Sequence, residues 1–239
     1  MKAAAGNVKK VSLELGGKGP NVVYADADIE TAINGAASAI FFNHGQCCCA
    51  GSRLLIEQPI FDDVVAGVAE IARNTKIAAG YEDGGQMGLL VSQEQRERVT
   101  GFLDSGFADG AEGIVGGERH GDRGYFVEPT VLVNTRPDMK VIREEIFGPV
   151  VAAIPFSGEV EATANNSEYG LAAGVWTRDA TKALRTVEAL RAGTAWVNCY
   201  NIFDAALPFG GYKQSGWGRE MGAEVLNNYL ETKAVCIGL

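Results

Sequence analysis

Short apolar runs of strand length alternate with apolar stripes of helical period along most of this chain. The run Arg53–Glu57 is followed by a helical stripe of apolar residues, Phe61, Val64, Val65, Val68 and Ala72. Further strand-length runs occupy residues 150–156, 171–176 and 194–199. Strands that alternate with helices usually pair in parallel, because each helix carries the chain back across the sheet. The sequence therefore predicts an α/β fold with a mostly parallel, twisted sheet and flanking helices.

Candidate capping residues mark where several of these helices begin. An apolar stripe over residues 29–41 predicts a helix that either Asp26 or Asp28 caps. Ser92 opens a capping-box pattern before the next long helix, and Asp179 precedes a further apolar stripe. These positions fix the expected helix starts to within a residue or two.

Composition excludes several classes of function. The 239 residues carry a formal net charge of −9, so no basic surface is expected for binding nucleic acid. No apolar run approaches the roughly 18 residues that a membrane-spanning helix needs. Five cysteines, three of them adjacent, do not resemble a disulfide framework, which indicates a reducing cytoplasmic location.

The segment Gly45-Gln46-Cys47-Cys48-Cys49-Ala50-Gly51 places three thiols in a turn of small residues. Three adjacent cysteines are an improbable way to fill a core. A metal site is also disfavoured, because adjacent thiols do not readily reach one ion and the only two histidines suggest no spaced ligand pattern. A thiolate in a turn after a helix is instead suited to nucleophilic attack on a carbonyl. The residues themselves do not indicate which of the three thiols attacks.

A carboxylate in a second small-residue turn complements the thiols. Glu14 follows apolar Val11 and Leu13 and precedes Gly16-Gly17. Taken alone, such an acid is equally well a solvated strand end. Paired with a thiol nucleophile, it is a candidate general base that activates water for hydrolysis of a thioester.

Four motifs in this order resemble the NAD(P)-dependent aldehyde dehydrogenase family over nearly the whole chain: Glu14-Leu15-Gly16-Gly17-Lys18, the cysteine segment, Glu144-Glu145-Ile146-Phe147-Gly148-Pro149, and residues 208–216. The resemblance implies the fold of that family's catalytic domain. It places the nucleophile on Cys48, with Cys47 and Cys49 as flanking residues, and the general base on Glu14. Lys18 is assigned to structure rather than catalysis.

The resemblance also implies a cofactor and a substrate. NAD, with NADP as the alternative, would be held at Glu145, Phe147 and Leu15. A small aldehyde would enter a tunnel lined by Cys47, Cys49, Asn198, Phe203 and Phe209, and no metal is implied. The implied reaction oxidises the aldehyde to a carboxylic acid through a thiohemiacetal and a thioester on the cysteine.

The same alignment divides the chain into three parts. Residues 1–16 are expected to be a remnant of the nucleotide-binding domain, residues 17–221 the catalytic domain, and residues 222–239 a short helix with a strand over 234–237 for homo-oligomerisation. No G-x-G-x-x-G loop is present, so this chain is expected to be a truncated catalytic part that is inactive alone as a dehydrogenase. The alternatives are a cofactor-independent thiol esterase and a non-catalytic assembly subunit.

Overall fold

A computed structural model describes all 239 residues. The strands are β1 (Leu13–Glu14), β2 (Pro20–Val23), β3 (Arg53–Glu57), β4 (Glu112–Val115), β5 (Thr130–Val133), β6 (Val150–Phe156), β7 (Tyr169–Gly170), β8 (Ala172–Trp176), β9 (Thr194–Val197), β10 (Tyr212–Lys213) and β11 (Gly216–Trp217). The helices are α1 (Lys2–Ala5), α2 (Ile29–Phe41), α3 (Phe61–Asn74), α4 (Gln93–Ala108), α5 (Lys140–Arg143), α6 (Glu161–Asn165) and α7 (Ala180–Ala189).

A seven-stranded sheet in the order β4-β5-β6-β3-β2-β8-β9 forms the centre of the molecule. All neighbouring pairs in it are parallel except β4 with β5. The mostly parallel α/β architecture predicted from the sequence is therefore confirmed. Two small antiparallel pairs, β1 with β11 and β7 with β10, lie outside this sheet.

Both faces of the sheet are covered, which explains the consecutive apolar residues in its central strands, such as Leu54, Leu55 and Ile56 of β3. Val23 and Ile56 belong to a core under α2 and α3, whereas Val22 and Leu55 belong to a core with α6 and the end of α7. Successive side chains of a strand point to opposite faces, so a strand buried on both sides has no polar alternation. A third core joins α4 and α5 to the β5–β6 side of the sheet.

The capping side chains largely behave as expected. Asp28, and not Asp26, caps α2, because its Oδ1 accepts a hydrogen bond from Thr31 N at 3.1 Å. The Ser92 hydroxyl caps α4 by accepting from Gln95 N. The Gln95 side chain does not complete a capping box, since its amide donates instead to the carbonyls of Ile146 and Phe147.

One expected strand is shorter than its apolar run, and another is not formed within this single chain. The run over residues 194–199 ends as a strand at Val197, because Asn198 adopts a left-handed conformation with φ of 53°. The strand expected over residues 234–237 for homo-oligomerisation stays a prediction: within this single chain, residues 230–239 have no regular structure and are exposed. A strand requires a partner edge, and no strand of this chain pairs with the tail. The short helix near residues 225–226 is present as a 3₁₀ helix, Ala223–Asn228.

No helix of the structure combines the length and the apolar character that crossing a bilayer would require.

Candidate active site

Three of the motifs lie at the same edge of the central sheet. The turn after Glu14 leads into β2, the cysteine segment leads into β3, and the segment containing Glu145 leads into β6. These strands are adjacent and parallel, in the order β6-β3-β2. Segments that precede adjacent parallel strands meet at the edge formed by the amino ends of those strands. The sheet therefore brings together motifs that are far apart in sequence.

The Glu14 turn is held by a buried serine. Glu14 pairs with Gly216 in the β1–β11 ladder, and Leu15 N donates to Ser215 O at 3.0 Å. The Ser215 hydroxyl donates to Gly16 O at 2.7 Å and accepts from Gly170 N at 3.0 Å. Ser215 has no exposed surface. A single side chain thus fixes the strand that carries Glu14.

The cysteine turn begins with an uncommon backbone conformation. Asn43, His44 and Gly45 all have positive φ, of 49°, 59° and 68°. Asparagine tolerates this region better than most residues, and here the Asn43 amide also donates to Gln46 O at 2.8 Å. A Cβ at Gly45 would overlap the carbonyl of Gly148, so only glycine fits there. This left-handed segment ends α2 abruptly and turns the chain toward the thiols.

The three thiols lie close together at the end of that turn. The Sγ atoms of Cys47 and Cys49 are 3.3 Å apart. Cys49 is buried, while Cys47 and Cys48 are partly exposed. The Tyr200 hydroxyl donates to Cys49 O at 2.9 Å, which fixes the backbone of the turn from the far side of the sheet edge.

The Glu14 and cysteine turns contact each other directly, through Gly17 and the carbonyl of Cys48. A profile of the aldehyde dehydrogenase family matches residues 1–235 of this chain. The chain belongs to the aldehyde dehydrogenase family. The recognition made from its motifs is thereby confirmed.

The curated relatives of this chain are about twice as long as it is. An aldehyde dehydrogenase of Agaricus bisporus is 49% identical over 239 residues, which are 99% of this chain and 48% of the relative. An aldehyde dehydrogenase of Aspergillus niger is 50% identical over 235 residues, 98% of this chain and 47% of the relative. The chain thus spans about half the length of the curated relatives it matches.

Solved structures of aldehyde dehydrogenases share the fold. An NAD+ complex of the enzyme from Bacillus cereus superposes with a TM-score of 0.96 at 50% identity, covering 98% of this chain and 48% of that one. A betaine aldehyde dehydrogenase from Staphylococcus aureus, in complex with NAD+, superposes with a TM-score of 0.94 at 41% identity. The match covers 98% of this chain and 47% of that one. The expected family fold is therefore confirmed over essentially all of this chain.

The three thiols compete for one negative charge. Hydrogen bonds from Cys48 and Cys49 lower the pKa of Cys47 to about 3. Hydrogen bonding to Cys47 raises the pKa of Cys49 to about 12. Contacts with Cys47 and Cys49, then burial, then the Glu14 carboxylate raise the pKa of Cys48. The electrostatics thus place the resting thiolate on Cys47, whereas the family motif places the nucleophile on Cys48.

Glu14 distinguishes Cys48 from Cys47. Its carboxylate helps to raise the pKa of Cys48 and is not among the causes of the lowered pKa of Cys47. A carboxylate beside a thiol disfavours the thiolate while the acid is ionised, and it can also accept the thiol proton. No three His, Cys, Asp or Glu side chains are grouped to hold a metal ion.

The segment that carries Glu145 and Phe147 faces an open cavity of about 510 Å³. Burial raises the pKa of Glu145, and a hydrogen bond from Gly17 N to its Oε1 at 2.9 Å opposes this shift. Phe147 has φ of 59°, and the Gln95 amide holds its carbonyl at 2.8 Å. Leu15 is about half exposed at the neighbouring turn. One oxygen of Glu145 is thus committed to the protein and the other accepts no hydrogen bond from it.

The expected tunnel residues have different environments. Phe203 stacks edge-on between Trp196 and Phe209, with ring centroids 5.5 and 5.4 Å away. Phe209 packs on the core cluster that also receives Cys47 and Cys48. Asn198 uses its amide on Thr177, accepting from Thr177 N at 3.0 Å and donating to Thr177 O at 2.9 Å. Its amide is therefore occupied by a structural contact.

Sequence reasoning missed the residues that position this site. Ser215, Tyr200 and Gln95 each fix a backbone carbonyl or amide of a site segment. Ser215 lies in the family motif over residues 208–216, which offered a signal. Tyr200 and Gln95 carry no such signal, because their partners are 151 and 52 residues away in sequence.

Proposed function

We propose that this chain carries the acyl-transfer chemistry of an aldehyde dehydrogenase, with Cys48 as the nucleophile and Glu14 as the base. The observation that supports this assignment is the direct contact between the Glu14 turn and the cysteine turn, at Gly17 and the Cys48 carbonyl, together with the effect of Glu14 on the pKa of Cys48. A carboxylate beside a thiol can accept its proton as the sulfur attacks.

Two covalent steps use the residues of this chain. In the first, the Cys48 sulfur bonds to the aldehyde carbonyl carbon, and the thiol proton leaves to Glu14 or to the Cys47 thiolate. The product is a thiohemiacetal. In the second, Glu14 removes a proton from a water molecule that attacks the thioester carbon, which releases the carboxylic acid and returns the Cys48 thiol. NAD, when bound, supplies the hydride acceptor that the oxidation between these two steps requires.

The segment of Glu145 and Phe147 is the proposed place for the nicotinamide half of NAD. The unpartnered oxygen of Glu145 suits a ribose hydroxyl donor, and Phe147 and Leu15 supply apolar surface at the same edge. The structure of the Bacillus cereus relative, an NAD+ complex, supports NAD over NADP.

Phe203 and Phe209 are proposed as apolar walls for a small aldehyde. The free state of all five cysteines supports a cytoplasmic location.

A second proposal concerns the tail. Val235 and Ile237 are 74% and 76% exposed and alternate along residues that pair with no strand of this chain. Such a segment is suited to adding a strand to a second copy, and we propose homo-oligomerisation through it. Light scattering of the chain with and without residues 230–239 tests this: an unchanged monomer in both contradicts it.

An activated ester tests the acyl-transfer chemistry without a hydride acceptor. With 4-nitrophenyl acetate, the chain is expected to release a burst of nitrophenolate close to one equivalent. Cys48→Ala should abolish the burst, while Cys47→Ala and Cys49→Ala, the matched controls, should retain it. If only Cys47→Ala loses the burst, the nucleophile is Cys47 and not Cys48. No burst in any form would reject both this proposal and the thiol esterase alternative.

A further inference from the structure

A small cavity with a strongly positive lining lies behind the Glu14 turn, away from the thiols. It is enclosed by the starts of β2 and β8, the end of α6 and the loop after α7. Four cationic residues line it, and no carboxylate does: Lys18, Arg53, Arg191 and Lys213. Its free interior is about 10 Å³, close to the space that one water-sized particle occupies.

Lys18 is buried in this lining without a partner. The residue is only 2% exposed, and no protein atom accepts a hydrogen bond from its Nζ. A buried ammonium without an acceptor is costly, because the charge has left water and gained nothing in return. The side chain therefore presents up to three unused N–H donors inside the protein.

Arg53 lies beside Lys18 and is already almost saturated. Its Nε donates to Lys18 O at 3.0 Å, and its Nη2 donates to Ala164 O at 2.7 Å. Its Nη1 donates to Thr163 O and Asn166 O. These carbonyls satisfy the guanidinium as a donor but do not cancel its charge. Arg53 therefore adds to the positive field at Lys18 and gives it no acceptor.

Burial and the positive charge around the cavity lower the pKa of two of its lysines, Lys18 and Lys213. Burial and then Arg53 lower the pKa of Lys18 to about 7, against opposing effects of Glu145 and Glu144. Lys213 donates to Asn165 O and Ser167 O, and its pKa is also lowered, by burial and then by Arg191 and Arg53. Besides burial, Arg53 thus lowers the pKa of both lysines, as expected where positive charge is in excess.

We propose that this cavity binds a single halide ion, chloride under ordinary conditions, on the Lys18 ammonium. A monatomic anion supplies the missing acceptor and adds negative charge inside the cationic lining. The narrow free space, about 10 Å³, favours a monatomic anion over phosphate, sulfate or a carboxylate. The competing occupant is one water molecule on a neutral Lys18 amine.

Halide binding is linked to protonation of Lys18. The ion binds the ammonium form, so affinity is constant well below pH 7 and falls about tenfold per pH unit above it. The groups that face Lys18 or line the cavity and share its field are Arg53, Arg191, Lys213, Tyr169, Glu144 and Glu145. The water alternative predicts the opposite, an occupant that is indifferent to chloride at every pH.

The test measures thermal unfolding of the 239-residue chain as chloride replaces gluconate at constant ionic strength. At pH 6 the midpoint should rise with a saturable chloride dependence, and the chloride concentration for half the effect should be at least tenfold higher at pH 8.5. Lys18→Met should remove this response. Lys9→Met, the same change at an exposed residue outside the cavity, should keep it.

A second measurement does not depend on the folding of the variant. Crystals of the parent chain soaked in bromide at pH 6 should show an anomalous peak within hydrogen-bonding distance of Lys18 Nζ. A peak absent there, or a chloride response unchanged in Lys18→Met, would overturn the proposal. An unfolding midpoint that does not respond to chloride at pH 6 would also overturn the halide proposal. The cavity would then hold a water molecule on a neutral Lys18 amine.

Discussion

The backbone carbonyl of Cys48 lies against Gly17, at a position where a side chain on residue 17 would overlap its oxygen. The two residues belong to the two turns that the proposed chemistry joins, one with the base and one with the nucleophile. Their contact brings the two turns together, and it requires glycine for lack of space.

Gly17→Ala should therefore push the two turns apart. We expect a loss of about 1–3 kcal/mol in the free energy of unfolding, as for other overpacked sites, together with a smaller nitrophenolate burst. Gly80→Ala is the matched control, because nothing lies within 4 Å of a Cβ there. Urea unfolding of both variants decides the point: equal stabilities would show that the Cys48 turn relaxes freely.

Glu14→Gln should separate the two covalent steps. The amide keeps the shape of the side chain but does not accept a proton from water, so deacylation should slow by about 10²-fold or more. Pre-steady-state kinetics with 4-nitrophenyl acetate should show a retained burst and a suppressed steady state. Glu159→Gln, at an exposed position distant in sequence, should behave as the parent. A steady-state rate unchanged in Glu14→Gln would remove Glu14 from the role of base.

The thiol cluster should react with alkylating reagents at unusually low pH. Because the pKa of Cys47 is lowered to about 3, its labelling by iodoacetamide should be nearly constant from pH 5 to 9. An ordinary thiol loses about tenfold per pH unit below its pKa of about 8.5. Peptide mass mapping gives the rate at each cysteine, with exposed Cys236 as the comparison within the same chain. Labelling of Cys47 that falls as steeply as an ordinary thiol would contradict the shared-charge arrangement.

Lys18 should make the stability depend on pH in a defined window. Its pKa is lowered from 10.5 to about 7 in the folded chain, so between these values the unfolded chain binds more protons. In gluconate buffer, the stability of the parent should therefore rise from pH 7 to 10.5, by about 3–5 kcal/mol more than that of Lys18→Met. Urea unfolding of both forms across this range isolates the effect, since all other groups cancel. Parallel pH profiles would show that Lys18 titrates normally.

Much of the fold follows from local patterns in the sequence. The apolar stripe of α2, the five-residue run of β3 and the Ser92 cap of α4 were all predicted from neighbours in the chain. The choice of Asp28 over Asp26 as the cap of α2 was not predicted, because Asp26 instead accepts a hydrogen bond from Thr177, which is 151 residues away in sequence. The tail strand stays a prediction for a related reason: a strand forms only where a partner edge exists, and no strand of this chain pairs with the tail.

The sequence by itself determined the family, the mostly parallel α/β architecture and the motifs that carry the thiols and the acid, because residue type and spacing along the chain encode all of these. Only the tertiary structure decided that the Glu14 turn and the cysteine turn meet at Gly17 and the Cys48 carbonyl, and that Lys18 is buried without an acceptor. Those properties depend on distances between atoms brought together by adjacent parallel strands, and such distances arise only when the sheet has formed.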